Sequence, residues 1–150
     1  SQANRKYLAF AKVADKEGFP QVARLFRAAA EAETVHAHNH FRALGEIKST
    51  AENLKTAISG ENYEAVTMYP AFVQDAEAEG MKQALTSFKF ALEVEKEHEA
   101  LYQAALDTLG QPGEEYDYYV CPVCGHTHPR NAPDKCPVCG LSGDKFMRVQ

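Results

Sequence analysis

The sequence predicts an all-α four-helix bundle followed by a small metal-binding domain, and three observations lead to this prediction. Residues 1 to about 110 carry helix start and stop signals and lack alternating strands rich in Val and Ile. All four cysteines lie between residues 121 and 139. After residues 111–113 (Gln-Pro-Gly) the composition shifts to Tyr, Cys, Pro and Gly. We therefore expect a bundle over residues 1–112 and a second domain over residues 113–150.

Glycine and proline mark the ends of the first two predicted helices. The first runs from the N-terminus to about Glu17 and stops at Gly18. Pro20 suits the first turn of the second helix, which continues to about Leu44. Apolar residues at three- and four-residue intervals in this helix predict one buried stripe. The stripe comprises Val22, Leu25, Phe26, Ala29 and Ala32.

The third and fourth helices are expected to follow a long crossover around residues 47–59. Ser49, followed three residues later by Glu52, has the pattern of a capping box. Pro70 is expected to bend or locally break the third helix, because proline removes a backbone donor. The fourth helix is predicted over residues 81–109.

Composition excludes several classes of protein. The net charge is −5 with acids and bases interspersed, which argues against a nucleic-acid surface. No apolar run approaches the roughly 20 residues of a membrane helix, and no signal-peptide pattern is present. Clustered thiols without a secretory signal favour metal binding in a reducing compartment, so the expected location is the cytoplasm.

Two segments, residues 33–36 and 95–98, share the pattern Glu-x-x-His and are 62 residues apart (95 − 33). On a helix, positions i and i+3 face the same way, so each segment offers a carboxylate and an imidazole to one point. Between them, residues 61 and 64 form a pair of glutamates with the same spacing. Di-iron bundles use this inventory of ligands. The candidate ligands are Glu33, His36, Glu61, Glu64, Glu95 and His98.

A single Glu-x-x-His on a helix is usually solvated, but two copies in register with a glutamate pair between them favour a metal site. His38 and His40 have no counterpart in the second copy and are interpreted as surface or packing residues. One ligand is missing from the pattern. Glu61 precedes Glu95 by 34 residues, so the counterpart of Glu33 should lie just before the first residue shown. We therefore expect the natural protein to contain a further glutamate upstream.

Two Cys-Pro-Val-Cys-Gly knuckles form the second candidate metal site. Each knuckle directs two sulfurs at one ion, and together they complete a tetrahedral tetrathiolate. Both zinc and iron accept such a site, and the knuckles alone slightly favour a structural zinc ribbon. His126 and His128 are interpreted as surface residues, and residues 116–119 supply tyrosines expected to pack the small core. The candidate ligands are Cys121, Cys124, Cys136 and Cys139.

These features together resemble the rubrerythrin family over nearly the whole chain. The resemblance rests on Ser-Gln-Ala at the start, the two Glu-x-x-His segments, Gly-Glu-x-x-Glu leading to Met-Tyr-Pro at residues 60–70, and the terminal cysteine box. It implies a ferritin-like di-iron four-helix bundle with a C-terminal rubredoxin-like Fe(Cys)₄ domain, in which zinc can replace iron. It also implies a non-haem peroxidase that reduces hydrogen peroxide to water, with electrons passing through the thiolate iron.

The resemblance also implies roles for single residues. Glu33 and Glu95 would bridge the two irons, and Glu61 and His98 would be terminal ligands of one of them. The other iron would be held by the missing upstream glutamate and would exchange His36 for Glu64 between its reduced and oxidised states. Tyr7 and Tyr69 match tyrosines that hydrogen-bond to ligating carboxylates in the family; they could equally be ordinary core residues.

Partners follow from the same resemblance. It implies an NADH-linked reductase or a rubredoxin-type protein as electron donor, and a homodimer or higher homo-oligomer with exchange of helices between chains. Two alternatives come from other classes. One is a ferritin-like ferroxidase or iron-handling protein, which would not need an electron-input domain. The other is a zinc-ribbon nucleic-acid module, which the four basic against five acidic residues of positions 114–150 oppose.

Overall fold

A computed structural model describes residues 2–150 of the chain. The helices are α1 (Gln2–Lys16), α2 (Pro20–Leu44), α3 (Thr50–Tyr63), α4 (Tyr69–Ala78) and α5 (Lys82–Asp107), with a π-helical turn at Glu64–Met68 between α3 and α4. The strands are β1 (Tyr118–Val120), β2 (Thr127–Pro129) and β3 (Met147–Val149), with a 3-10 turn at Gly143–Lys145. The chain divides into two compact units, Ser1–Lys48 and Ser49–Gln150. The boundary expected at residue 112 stays a prediction.

The connection between α2 and α3 is shorter than the sequence suggested. Helix α3 begins at Thr50, so the expected long crossover over residues 47–59 is wrong. The cause is the capping box, which the structure confirms: the backbone N–H of Glu52 lies 3.4 Å from Ser49 Oγ, and that of Ser49 donates to the Glu52 carboxylate at 3.3 Å. The two hydrogen bonds satisfy backbone N–H groups that would otherwise lack a partner, and so favour the start of a helix at this point. Gly60 lies inside this helix and does not end it.

In the first unit α1 and α2 pack through small residues. Ala11 and Ala14 of α1 and Ala23 of α2 are buried, and Phe26 packs against them. The amide of Asn4 donates to the carbonyl of Ala30 at 2.8 Å and ties the two helices together near the start of α1. Small side chains let two backbones approach closely, so the hairpin is held with little aliphatic volume.

The predicted stripe on α2 is displaced by one residue. Phe26 and Ala29 are half-buried, but Val22 and Leu25 are 45% and 67% exposed, and Ala32 is exposed as well. The fully buried positions of α2 are Ala23 and Ala30, each one residue after a predicted position of the stripe. Residue spacing alone cannot distinguish two adjacent faces of a helix that both carry apolar side chains.

In the second unit α3 and α4 pack along α5. Val94 is buried at the middle of α5. An aromatic cluster joins α4 to α5, with the ring centroids of Phe72 and Phe88 5.3 Å apart and that of Tyr69 6.3 Å from Phe88. The expected break at Pro70 is present as the π turn that ends one residue before Tyr69, so the third long helix is formed by α3, the π turn and α4 in succession.

The cysteine-rich segment forms a three-stranded antiparallel sheet in the order β2-β1-β3. Tyr119 of the central strand pairs with His128 on one side and Arg148 on the other. Gly125 closes the first knuckle with φ 89°, a conformation that glycine adopts without strain. A Cβ at this position would lie 3.7 Å from a side-chain carbon of Val94. The first knuckle therefore lies close to α5.

Across the described part of the chain, residues 2–150, no helix combines the length and the apolar content that a membrane crossing requires.

Candidate metal centres

Three of the predicted iron ligands converge in the second unit. Glu61 on α3 and Glu95 and His98 on α5 each place one ligand atom within 4.8 Å of the other two. His98 Nδ1 lies 2.8 Å from Glu95 Oε2 and 4.0 Å from Glu61 Oε2. The i,i+3 spacing of Glu95 and His98 puts both on the face of α5 that meets α3. Their side chains are 15–27% exposed, so the cluster is largely withdrawn from water.

The carboxylates of this cluster repel one another. Burial, a hydrogen bond with Glu95 and the charge of Glu95 raise the pKa of Glu61 to about 7 from an ordinary 4.5. Burial and the charge of Glu95 also raise the pKa of Glu64. Negative charge gathered in a poorly solvated place is costly without a cation. The donor set of carboxylates and imidazole therefore fits iron, which binds oxygen and nitrogen ligands of this kind.

Glu64 is the first residue of the π turn. The backbone N–H of Tyr69 donates to the Glu64 carbonyl, which is the i to i+5 bond that defines the turn. Turns of this kind occur frequently at functional sites. Burial, followed by the charges of Glu95, Glu64 and Glu61, raises the pKa of Tyr69. Tyr69 therefore lies within electrostatic reach of all three carboxylates while its ring packs in the aromatic cluster.

The other predicted ligands lie in the first unit. Glu33 and His36 of α2 face each other, with Oε2 and Nδ1 3.8 Å apart, and their side chains are 35% and 61% exposed. Tyr7 of α1 packs with Phe10 and Phe26 at centroid distances of 6.4 and 6.2 Å, as a core tyrosine would. The upstream glutamate expected before Ser1 lies outside the described residues and stays a prediction.

The four cysteines form the second cluster. All are free thiols, and their sulfurs lie within 4.8 Å of one another. The Sγ atoms of Cys121 and Cys139 are 3.5 Å apart, and those of Cys124 and Cys136 are 3.4 Å apart. A tetrahedral ion with metal–sulfur bonds of about 2.3 Å requires sulfur separations of about 3.8 Å. The observed separations fit a single four-coordinate ion.

Backbone donors in the knuckles favour thiolate. Burial raises the pKa of the Cys121 thiol, but hydrogen bonds from the backbone N–H groups of Cys124 and Val123 and from neighbouring thiols together outweigh burial and lower that pKa to about 7. Burial raises the pKa of Cys124 and of Cys139. Without a metal these thiols therefore differ in how readily they lose a proton. A bound metal ion takes thiolate ligands, so it would deprotonate all four cysteines.

His126 and Thr127, which follow the first knuckle, lie in positions that the sequence did not predict. The expectation that His126 lies on the surface is wrong: it is 5% exposed, and its Nδ1 contacts the carboxylate of Glu97 on α5. Thr127 belongs to no motif of the sequence, yet its hydroxyl lies 3.0 Å from Nε2 of His98. Both contacts arise because the cysteine-rich segment that forms β1, β2 and β3 (the cysteine domain) packs on α5. The spacing of residues in the sequence does not predict this packing.

Comparison with known proteins agrees with these clusters. Residues 1–106 match the family described as Rubrerythrin. The chain belongs to the rubrerythrin family. Residues 119–147 match a second description, "Rubrerythrin, rubredoxin-like domain". The predicted fold class, a ferritin-like four-helix bundle with a C-terminal rubredoxin-like domain, is confirmed.

Similar proteins include Rubrerythrin-2 of Clostridium acetobutylicum, which is 35% identical over 98% of this chain and 89% of its own length. Rubrerythrin of Porphyromonas gingivalis is 39% identical over 93% of this chain and 78% of its own. The solved structure described as "Fully reduced state of nigerythrin (all ferrous)" matches with a TM-score of 0.65 and 34% identity, covering 98% of this chain and 79% of that one.

Family membership and the two ligand clusters confirm the predicted iron cofactors, a carboxylate and histidine di-iron site and a four-cysteine iron site. The protein is thus an oxidoreductase of a di-iron family associated with oxidative stress, and its rubredoxin-like domain indicates exchange of electrons with a redox partner.

Proposed function

We propose that this protein is a non-haem peroxidase that reduces hydrogen peroxide to water at the di-iron site. One observation carries the proposal. The cluster of Glu61, Glu95 and His98 and the cysteine cluster belong to the same compact unit, and His98 lies 3.0 Å from Thr127 beside the first knuckle. An electron-input domain that contacts a metal ligand through Thr127 suits repeated turnover and has no purpose in simple storage.

We further propose a ligand for each position. Glu95 and Glu33 would be shared between the two irons, Glu61 and His98 would hold one iron, and His36 and Glu64 would alternate as ligands of the other. A ferric ion favours an anionic ligand, whereas a ferrous ion tolerates a neutral imidazole. The rise in the pKa of Glu64, caused by burial and by the charge of Glu95, is consistent with a carboxylate that is used only when positive charge increases.

The reaction needs electrons and protons in equal number. Hydrogen peroxide takes up two electrons and two protons, its O–O bond breaks, and two water molecules form. The irons, when bound, supply both electrons and act as Lewis acids. Tyr69 is neutral near pH 7 as tyrosines ordinarily are, and burial raises its pKa further, so it would hold its hydroxyl proton beside the carboxylates as a hydrogen-bond donor. We propose the same role for Tyr7, whose ring is fixed by two aromatic neighbours.

Electrons would enter at the cysteine site. We propose an NADH-linked reductase or a rubredoxin-type protein as the donor, because a single-electron thiolate iron accepts electrons one at a time. Clustered free thiols support a reducing compartment, which we take to be the cytoplasm.

We also propose that the protein is a homodimer or higher homo-oligomer in which helices are exchanged between copies. Several large apolar side chains are exposed on the first two helices, among them Val13, Val22, Leu25 and Val35. Apolar surface of this extent commonly marks a contact with another chain.

The proposal is tested by replacing Glu95 with Ala and measuring peroxide consumption by the fully reduced, iron-loaded protein. We expect turnover to be lost while the visible spectrum of the cysteine site is kept. Glu93→Ala is the matched control, since this glutamate is on the same helix but is 58% exposed and paired with Lys96. Full activity of Glu95→Ala would refute the site. Rapid iron-dependent oxygen consumption without peroxide turnover would instead indicate a ferroxidase.

A further inference from the structure

The hydroxyl of Thr127 lies between two hydrogen-bonding partners whose chemistry fixes its direction. It is 3.1 Å from the backbone carbonyl of Gly125 and 3.0 Å from Nε2 of His98. A hydroxyl has one proton to donate, and a carbonyl can only accept. The proton of Thr127 is therefore used on Gly125, and its oxygen accepts from His98. Both contacts are satisfied only if Nε2 of His98 carries a proton.

This arrangement selects one form of the neutral imidazole. With the proton on Nε2, the lone pair is on Nδ1. Nδ1 is the atom that faces the acids, 2.8 Å from Glu95 Oε2 and 4.0 Å from Glu61 Oε2. A lone pair aimed at carboxylate oxygens is satisfied by a proton or by a cation placed between them. Hydrogen bonds of this kind on the far side of a ligating imidazole orient the ring and raise its basicity.

The position of Thr127 is itself firmly held. It is the first residue of β2, and the preceding His126 is buried against Glu97 of α5. A Cβ at Gly125 would be in van der Waals contact with Val94, so the first knuckle lies close to α5 at this point. Thr127 thus belongs to the cysteine domain by sequence and to the surroundings of the other metal cluster by contact.

We infer that Thr127 is a positioning residue for the di-iron site: it fixes the proton of His98 on Nε2 and so presents Nδ1 to the metal. The rubredoxin-like domain then has a second task besides electron transfer, which is to raise the metal affinity of the neighbouring cluster. The inference rests on His98 being a metal ligand, as proposed above.

The test compares Thr127→Val with Thr127→Ser. Valine keeps the shape and removes the hydroxyl, whereas serine keeps the hydroxyl. With the cysteine site filled by zinc, Fe²⁺ affinity is measured anaerobically by competition with a chelator, and the protonated nitrogen of His98 is identified by ¹⁵N NMR of the protein without iron. We expect about a 10-fold loss of Fe²⁺ affinity in Thr127→Val, a mixture of the two proton positions on His98, and recovery of both properties in Thr127→Ser.

Two controls separate this inference from the proposed function. Thr86→Val removes a hydroxyl on α5 whose contact is within its own helix, to the carbonyl of Lys82, and should change neither quantity. His98→Ala should abolish tight Fe²⁺ binding. If it does so while Thr127→Val binds Fe²⁺ normally with Nε2 still protonated, the role of Thr127 is refuted and that of His98 stands. If His98→Ala binds Fe²⁺ normally, both are refuted.

Discussion

The carboxylate of Glu97 contacts Nδ1 of His126, a side chain that is buried where the cysteine domain meets α5. Nε2 of the same ring is also buried and has no partner among the described residues. The imidazole therefore depends on Glu97 for its one polar contact. This pair fastens the cysteine domain to the helix that carries Glu95 and His98.

Glu97→Ala should accordingly destabilise the protein. It leaves a buried imidazole without a partner, and we expect a loss of about 1–3 kcal/mol in the free energy of unfolding. Urea unfolding of the metal-loaded protein measures this. Glu93→Ala, which removes only an exposed ion pair with Lys96, should change the same quantity by less than about 0.5 kcal/mol. Equal effects of the two variants would contradict a docking role for Glu97.

The raised pKa of Glu61 predicts a dependence of stability on pH. Between about pH 4.5 and 7, folded protein without iron keeps a proton on Glu61 that the unfolded chain has already released. This proton stabilises the folded protein relative to the unfolded chain. Its contribution to the free energy of unfolding is complete below about pH 4.5 and is lost as the pH rises through about 7. Unfolding free energies measured from pH 4.5 to 7.5 should fall less steeply in Glu61→Gln than in the parent protein. Parallel curves would show that Glu61 does not titrate in this range.

Tyr69→Phe tests the hydroxyl beside the carboxylates. The ring would keep its packing against Phe72 and Phe88, so the melting temperature should change little. Loss of the hydrogen-bond donor should lower kcat for peroxide by about 10-fold, because one hydrogen bond is worth about 1 kcal/mol and a barrier change of about 1.4 kcal/mol is a factor of ten in rate. Tyr63→Phe on the neighbouring α3 is the control, since Tyr63 is 57% exposed. Unchanged kcat in Tyr69→Phe would assign this tyrosine to packing alone.

The metal in the cysteine site is tested by colour and metal content. Protein produced with ample iron should be red, because thiolate-to-iron transitions absorb visible light, and it should bleach on reduction. Zinc has a filled d shell and gives a colourless site. A colourless preparation holding one tightly bound zinc per chain, despite ample iron, would contradict the role of this site in electron transfer.

Exchange of helices between copies predicts complementation between two inactive variants. Glu33→Ala and Glu95→Ala each remove one proposed bridging ligand. In a mixed dimer with exchanged helices, one site receives both defects and the other receives none. Co-refolding equal amounts should restore about a quarter of the parent activity, since half of the randomly formed dimers are mixed and each has one intact site. No recovery would mean that each site is built from a single copy.

Helical spacing was sufficient to predict part of the di-iron cluster. Glu95 and His98 are one turn apart on α5, so their convergence follows from helix geometry alone. The meeting of these two with Glu61 also needs α3 to lie against α5, which the apolar pattern suggested only in general terms. The cysteine cluster could also be predicted from the sequence, because each knuckle is a local structure with its own sequence signature.

The contacts between the cysteine domain and α5 could not be predicted in this way. Histidine is a polar residue that is often exposed, so the sequence favours a surface position for His126. It is buried only because the cysteine domain packs against α5 beside Glu97. The long crossover expected around residues 47–59 is wrong for a different reason: the helix that the capping box at Ser49 starts already includes most of that stretch, and Gly60 lies inside it. A glycine in a helix costs about 1 kcal/mol, which tertiary packing readily offsets.

The π turn at Glu64–Met68 has the effect of one inserted residue in an otherwise regular helix. Each residue of an α-helix adds about 100° of rotation, so eight regular steps from Glu61 would turn Tyr69 about 80° away from it. Because the π turn absorbs one step, Tyr69 stays within about 20° of the direction of Glu61. A chain shortened by one residue here would keep the two flanking helices in phase. The helix therefore does not need the additional residue to continue in the same direction. The residue changes only the local backbone at the π turn, where Glu64 is the first residue.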